Sequence, residues 1–234
     1  MRFDVLTIFP TMFGGVLRAS ILKRAQAAKK IAIRVHDIRD YAEDKHRKVD
    51  DRPYGGGSGM VMTPQPIFSC VEAVLRMDKI RRSRRRILLL SARGRRFTQR
   101  EAQRLAGYKQ LVLLCGHYEG VDERVARYLA DEEISIWDYV LTGGEVPAMV
   151  VIDAVSRLLA GVLGNRESTR DESFQSAGLE YPQYTRPAVF KGKRVPAVLL
   201  SGDHRKIEAW RRKEALKITQ KRRPDLLTKE ACDG

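Results

Sequence analysis

Ile136-Trp137-Asp138-Tyr139-Val140-Leu141-Thr142-Gly143-Gly144-Glu145-Val146-Pro147 is the stretch on which the fold class turns. It follows a short β-like run, Glu133–Ile136, and opens an apolar helical pattern over Glu145–Val162. Pro147 falls in the first turn of that helix, where proline is well tolerated. Gly143 and Gly144 allow the backbone to bend sharply and to come close to a ligand. Strand, glycine turn and helix start together make a place to hold a small molecule. The competing reading is a tight connection with no ligand, since Gly-Gly turns are common.

Working outward, Arg2–Phe9, Ile31–His36, Ile87–Ser91 and Leu111–Cys115 read as strands, and Ser20–Lys30, Pro64–Met77, Thr98–Gly107 and Val121–Leu129 as helices. Ser20 is a candidate N-cap. Glu145–Val162 reads as the longest helix of the chain, apolar nearly all round its first half and so buried. Strands alternating with helices predict an α/β domain on a mostly parallel sheet. A polar segment, Asp37–Arg52, ends in Pro53-Tyr54-Gly55-Gly56-Gly57-Ser58-Gly59. After residue 164 the texture changes. Residues 165–178 are polar and aperiodic and read as a flexible linker; residues 179–234 are proline-bearing, then helical and basic, and read as a second, smaller domain.

The 234 residues carry a formal net charge of +15, with a pI near 10.0. That excess favours a polyanionic partner, nucleic acid first. No apolar run approaches the roughly 20 residues of a membrane span, and no secretion signal is visible at the N-terminus. Cys70, Cys115 and Cys232 form no CxxC pair, which points to a reducing compartment, the cytoplasm. His36, His46, His117 and His204 are scattered and offer no metal-ligand spacing.

Three glycine-bearing turns follow predicted strands: Ser91–Gly94, Cys115–Gly120 and Leu141–Gly144. Ligands of open α/β sheets bind outside the carboxyl ends of strands, so the three could line one pocket. Neither a G-x-G-x-x-G opening a helix nor a P-loop occurs, which argues against dinucleotide and nucleoside-triphosphate sites. Charge is clustered. Arg81–Arg104 holds ten arginines against Glu101 alone, and Arg205–Arg223 holds nine Lys or Arg against Glu208 and Glu214. Two such runs favour phosphate contact over a merely solvated face. The linker carries Glu167, Asp171 and Glu172 beside Arg166 and Arg170. These are solvated charges, or one of them is a general base on a loop. Arg157 lies on the long helix just before the linker, in an otherwise apolar stretch with Val155, Leu158 and Leu159, either snorkelling at the helix edge or held for an anion.

Four motifs in register are more specific. Val49–Gly57 (VDDRPYGGG), Cys115–Arg124 (CGHYEGVDER), Asp138–Glu145 (DYVLTGGE) and Tyr184–Pro187 (YTRP) resemble the bacterial tRNA (guanine-N1)-methyltransferase family, TrmD, and the likeness runs from Phe3 to about Leu227. The resemblance implies a SPOUT-type α/β domain with a deep trefoil knot, a small helical C-terminal domain that binds tRNA, and a homodimer. It implies S-adenosylmethionine as methyl donor and the guanosine at tRNA position 37, beside the anticodon, as acceptor. Magnesium is implied as well, with no ligand set legible in the chain. By motif match the donor site falls on Leu89, Leu90, Ser91, Gly116, Tyr118, Glu119, Ile136, Trp137, Asp138, Tyr139, Val140, Leu141, Gly143, Gly144 and Pro147. The catalytic pair falls on Arg157 and Glu172, with Asp171 the rival base.

The chain departs from the family pattern in three places: His117 stands where arginine is common, Ser91-Ala92-Arg93-Gly94 replaces Ser-Pro-Gln-Gly, and Glu172 replaces aspartate before Ser173-Phe174. Glutamate keeps the carboxylate and adds a methylene. Two alternatives remain open at this level. A related knotted methyltransferase acting on another RNA would be separated by assays on tRNA and rRNA. A non-catalytic RNA-binding protein would be separated by calorimetry with S-adenosylmethionine.

Overall fold

The side chains of Gln110–Cys115 set the layering of the fold. Leu111, Leu113 and Cys115 bury in one hydrophobic cluster and Val112 and Leu114 in another. A strand covered on both faces needs this continuous apolar run. In the computed structural model, residues 1–77, 79–163, 172–175 and 178–227 are described. By its internal contacts the chain divides into two units, Met1–Gly164 and Asn165–Gly234.

Unit one runs β1 (Arg2–Thr7), α1 (Ser20–Ala27), β2 (Ala32–Asp37), β3 (Asp50–Asp51), β4 (Val61–Met62), α2 (Pro64–Arg76), β5 (Arg85–Arg96), α3 (Gln99–Ala106), β6 (Gln110–Cys115), α4 (Glu123–Tyr128), β7 (Glu132–Ser135) and α5 (Glu145–Ser156). Five strands form a parallel sheet in the order β2-β1-β6-β5-β7. Residues of α1, α3 and α5, among them Leu22, Leu105 and Val151, join the Leu111 cluster. Residues of α2 and α4, among them Ile67, Val74 and Val125, join the Val112 cluster. The mixed α/β class with a parallel sheet is therefore as the sequence implies.

Several boundaries differ. Strand β5 does not stop at Ser91. It pairs with β7 through Leu90↔Ile134, loops out Ser91–Gly94, and resumes at Arg95↔Ile134 and Arg96↔Ser135. A Cβ on Gly94 would lie 2.4 Å from the Ile134 backbone nitrogen. A glycine there permits contact between backbones, which a local turn reading could not reveal. Helix α5 ends at Ser156, not Val162. Leu158 and Leu159 donate to Val155 and Ser156 (3.2 and 3.1 Å), which tightens the last turn, and Gly161 takes φ +77°. Leu158, Leu159 and Val162 still pack on the core, so the apolar period outlasts the helix. Arg157 is thus the C-cap, its N–H donating to Asp153 O at 3.1 Å, and not a mid-helix residue. Ser20 is no cap: α1 is preceded by Ala19 and has no side-chain capping bond.

The arginine-rich stretch is largely engaged within unit one. Arg95 and Arg104 both pair with Glu101 and Glu132, and Arg104 is held more firmly protonated than an ordinary arginine; burial opposes this, and the two carboxylates outweigh it. Arg93 reaches Glu123 (3.1 Å), and Arg86 and Arg96 lie over the Tyr108 and Trp137 rings. The partners come from other elements, which counting acids along one segment overlooks.

Unit two contains the hairpin β8 (Val189–Phe190) and β9 (Lys193–Arg194) and the C-terminal helix α6 (His204–Arg222), at 19 residues the longest described. Lys191 and Gly192 both have positive φ, as a two-residue hairpin turn requires. Asp203 caps α6 by accepting from the N–H groups of Arg205 and Lys206. Among the described residues no helix is long and apolar enough to cross a membrane.

A fully buried carboxylate locks β1 to both its neighbours. Asp4 accepts from Arg2 Nε (2.6 Å) and Gln110 Nε2 (2.8 Å) and lies 3.0 Å from His36 Nε2. Burial disfavours its charge, but the bonds from His36 and Gln110 and the Arg2 charge outweigh burial and hold its pKa below the usual carboxylate range. Such a group adds stability above its unfolded pKa and loses it as pH falls through the folded value. Asp4→Asn should therefore cost about 3 kcal/mol in urea denaturation at neutral pH, and its deficit relative to the parent should shrink at pH below the ordinary carboxylate range. Gly94→Ala should lower stability by about 1–3 kcal/mol through backbone overpacking, read as a lower urea midpoint; an unchanged midpoint would contradict the close β5–β7 approach.

Candidate functional site

The carboxyl ends of β5, β6 and β7 open into one cleft of about 350 Å³, within the size range of small-molecule sites. Leu89, Leu90 and Ser91 line it from β5, Gly116, Tyr118 and Glu119 from the turn after β6, and Ile136, Trp137, Tyr139, Val140 and Leu141 from the segment after β7; Gly143, Gly144 and Pro147 line it from the entry to α5. Asp138 does not. The backbone closes a tight turn around it, Tyr139 N–H donating to Trp137 O at 3.0 Å. Arg93, His117 and Thr142, which belong to the three turns that the sequence marks, also line the cleft, as do Val121 and Glu123, which lie beyond them and were not expected there.

Backbone fixes this geometry. Gly144 N–H donates to Gly116 O (2.8 Å), and His117 bridges Gly143 in antiparallel fashion. Gly144 has an ordinary φ of −79°, so it is not needed for a left-handed bend. It is needed for space, since a Cβ there would lie 2.7 Å from the Cys115 Cα. A Cβ on Gly143 would meet the Glu145 carboxylate and, at 3.0 Å, the His117 ring. Glu145 is buried and accepts from Thr7 Oγ1 at 2.7 Å, tying the start of α5 to the end of β1. Burial, then the Glu145 charge, pushes the Cys115 thiol well above its usual pKa, so it stays neutral beside the cleft.

A second support comes from β3 and β4, which the sequence hides inside a polar segment. They pair antiparallel and carry the loop Gly55–Gly59. A Cβ on Gly59 would strike the Glu119 side chain, and Glu119 N–H donates to Met60 O at 3.0 Å. The glycine-rich loop therefore braces the turn after β6. Asp122 and Arg124 of the same motif are structural: Asp122 caps α4 and is held below the usual carboxylate range, foremost by hydrogen bonding from the Arg124 side chain. His117 sits between the Phe9 and Tyr118 rings at 4.8 and 5.3 Å. Its Nδ1 is buried with no hydrogen-bond partner among the described residues.

The predicted base lies in the other unit. Asp171 and its neighbours Glu167, Arg166 and Arg170 fall outside the described residues. Glu172 is described, half-buried, with its carbonyl accepting from Gln175 N–H at 3.2 Å. The turn that follows is anchored to α6. Phe174 N–H donates to Gly178 O (2.9 Å), and Leu179 N–H donates to Thr219 Oγ1 (2.9 Å), which in turn donates to Ala215 O (2.8 Å). Thr219 is the buried residue of α6, and Gly178 lies close against it, where a Cβ would come within 3.1 Å of Thr219 Oγ1. Neither contact is legible in the sequence, where Thr219 is one small residue in a basic helix.

Among the described residues no group of three or more His, Cys, Asp or Glu side chains gathers as metal ligands do. No magnesium ligand set is assigned by them. The cleft suits a ligand with both apolar and polar parts: leucines, Ile134, Ile136 and Pro147 offer apolar faces, and the turns offer backbone donors and acceptors.

Comparison with known proteins accords with this geometry. The family model described as tRNA (Guanine-1)-methyltransferase TrmD matches residues 1–229. A protein of Geobacillus kaustophilus named tRNA (guanine-N(1)-)-methyltransferase is 58% identical over 227 residues, covering 97% of this chain and 91% of that relative. Proteins of the same name from Halalkalibacterium halodurans and Geobacter sulfurreducens are 56% and 54% identical, covering 97% and 98% of this chain and 91% and 92% of theirs. With the match spanning both units, from β1 through the strand-end cleft to α6, the chain belongs to the tRNA (guanine-1)-methyltransferase TrmD family.

Proposed function

We propose that the protein transfers a methyl group from S-adenosylmethionine to N1 of the guanosine at position 37 of tRNA, and that the β5–β6–β7 cleft holds the donor. The observation that carries this reading is the convergence of three strand-end turns on one cleft, in a chain whose relatives bear the name of that methyltransferase. When bound, the cofactor supplies a methyl on a sulfonium, an electrophile that needs alignment and no activation. Gly116 and Leu141 offer backbone to orient it, Gly144 holds the turn by its bond to Gly116 O, and Leu90, Ile136 and Pro147 exclude water from its apolar portions.

Guanine N1 carries a proton and is a poor nucleophile until that proton leaves. The Glu172 carboxylate accepts it as the new bond forms. As that proton leaves, negative charge builds on N1 and O6, where the Arg157 guanidinium stabilises it; the charge is lost as N1 takes the methyl group, and the electron pair of the broken S–CH3 bond stays on the sulfur, which departs as a neutral thioether. The base must leave its stack to be reached. No step is routed through magnesium. A SPOUT-type knot belongs to this reading, and the basic helix α6 suits unit two to tRNA phosphates. Exposed Met12, Val16, Val146 and Val150 offer an apolar surface for a second copy. A crystal structure with cofactor tests cleft, knot and dimer together; a cofactor seated elsewhere would sink the reading.

Methylation of a tRNA transcript with labelled cofactor tests the chemistry. Glu172→Gln should lower kcat by about 10²–10⁴ and leave the cofactor Kd unchanged. Full activity in Glu172→Gln with an inactive Asp171→Asn would move the base one residue back. Arg157→Ala should lower kcat by about 10²–10³, and Arg157→Lys should restore part of it. Thr219→Val removes the Oγ1 that holds the turn after Glu172. It should reduce kcat several-fold with the cofactor Kd unaltered, and equal loss in both would make its role one of general stability.

A further inference from the structure

Unit two has a cavity of its own, about 400 Å³, that neither the methyl donor nor the proposed base uses. Its walls combine three aromatic rings, Tyr181, Tyr184 and Trp210, with the guanidinium-bearing Arg186 and Arg211 and an aliphatic floor that includes Leu200. The Tyr184 and Trp210 rings stand 6.2 Å apart, tilted by 56°, and Arg211 lies over the Tyr181 ring with Cζ 4.7 Å from its centroid. Arg211 Nε is buried and has no hydrogen-bond partner among the described residues. No acidic side chain lines the cavity.

These features select a ligand class. Aromatic walls alone would suit a quaternary cation, but two guanidinium groups repel one. A small inorganic anion would pair with the arginines and leave the rings unused. A flat, π-faced ligand with acceptor oxygen or nitrogen on its edge satisfies both, because bases stack on aromatic side chains and on arginine planes. The buried Arg211 N–H then has an acceptor to meet. We propose that this cavity receives one unstacked nucleobase of the bound tRNA, stacked on Trp210 with Tyr184 against its edge and its polar side toward Arg211. This rests on the reading of tRNA as substrate and adds a second point at which the RNA is gripped.

The test uses the full chain, a tRNA transcript and saturating cofactor. Arg211→Gln and Trp210→Leu should each raise the tRNA Kd and KM about tenfold, the range expected for one stacked base. Their kcat and cofactor Kd should stay unchanged, and circular dichroism checks that both fold. Trp210→Phe, which keeps a stacking face, should retain most of the affinity. Tryptophan emission should fall when tRNA is added to the parent and fall less in Trp210→Phe. Unchanged tRNA Kd in both Arg211→Gln and Trp210→Leu overturns the proposal. So does a Trp210 signal that follows protein concentration without RNA, which would make a second copy the occupant. A parent that binds tRNA through Trp210 yet transfers no methyl group would sink the methylation reading and leave this one standing.

Discussion

The site depends on steric exclusion at glycine. Where β5 resumes beside β7, and where the start of α5 meets the end of β6, backbone lies against backbone with no room for a Cβ at Gly94 or Gly144. Those contacts bring three turns to one cleft. Replacing either glycine would force main chain apart, because neither neighbour is the movable end of a side chain. Such a cleft is held by hydrogen bonds such as Gly144 N–H to Gly116 O and by bridges such as His117 to Gly143. Main-chain bonds of this kind restrict the cleft's shape and so reduce the ordering cost of binding.

Ion pairs serve that backbone. The looped-out Ser91–Gly94 segment would leave the second limb of β5 with only two register pairs to β7. Arg95 and Arg104 clamp this limb to α3 and β7 through Glu101 and Glu132. Arg95 is more than half exposed, so screening keeps its share of the clamp small. The network fixes direction more than it adds stability. Arg93, from the looped-out segment, and Arg96, from the second limb, reach Glu123 and Trp137 at the cleft itself. A stretch that looks like a phosphate-binding run thus spends much of its charge on holding the cleft wall.

What the sequence made legible follows from which forces are local. Alternating strands and helices, and the glycine turns after Leu90, Cys115 and Leu141, are short-range signals, and the parallel sheet and shared cleft agree with them. Arg157 was misplaced because Leu158, Leu159 and Val162 keep a helical apolar period while packing through tighter turns. The role of Gly144 was misjudged because its φ is ordinary and its constraint comes from Cys115, 29 positions earlier in the chain. Glu101 looked isolated among arginines because Glu132 joins it only across the sheet. The β3–β4 pair escaped notice because two-residue strands have no period to read.

Thr219 shows how the two units divide the work. In the proposed function, donor orientation falls to backbone in unit one, whereas the proposed proton acceptor lies in unit two, on a segment whose return is tied to α6 by one hydroxyl. A rigid cleft can hold a cofactor at any time, but a base that deprotonates guanine is useful only when RNA is present. Placing Glu172 on the unit that carries the basic helix and the aromatic cavity puts proton removal on the part of the chain suited to RNA. On that proposal, affinity for the methyl donor and commitment to the nucleic acid are set by different residues, Gly116 and Gly144 for one, Thr219 and Arg211 for the other.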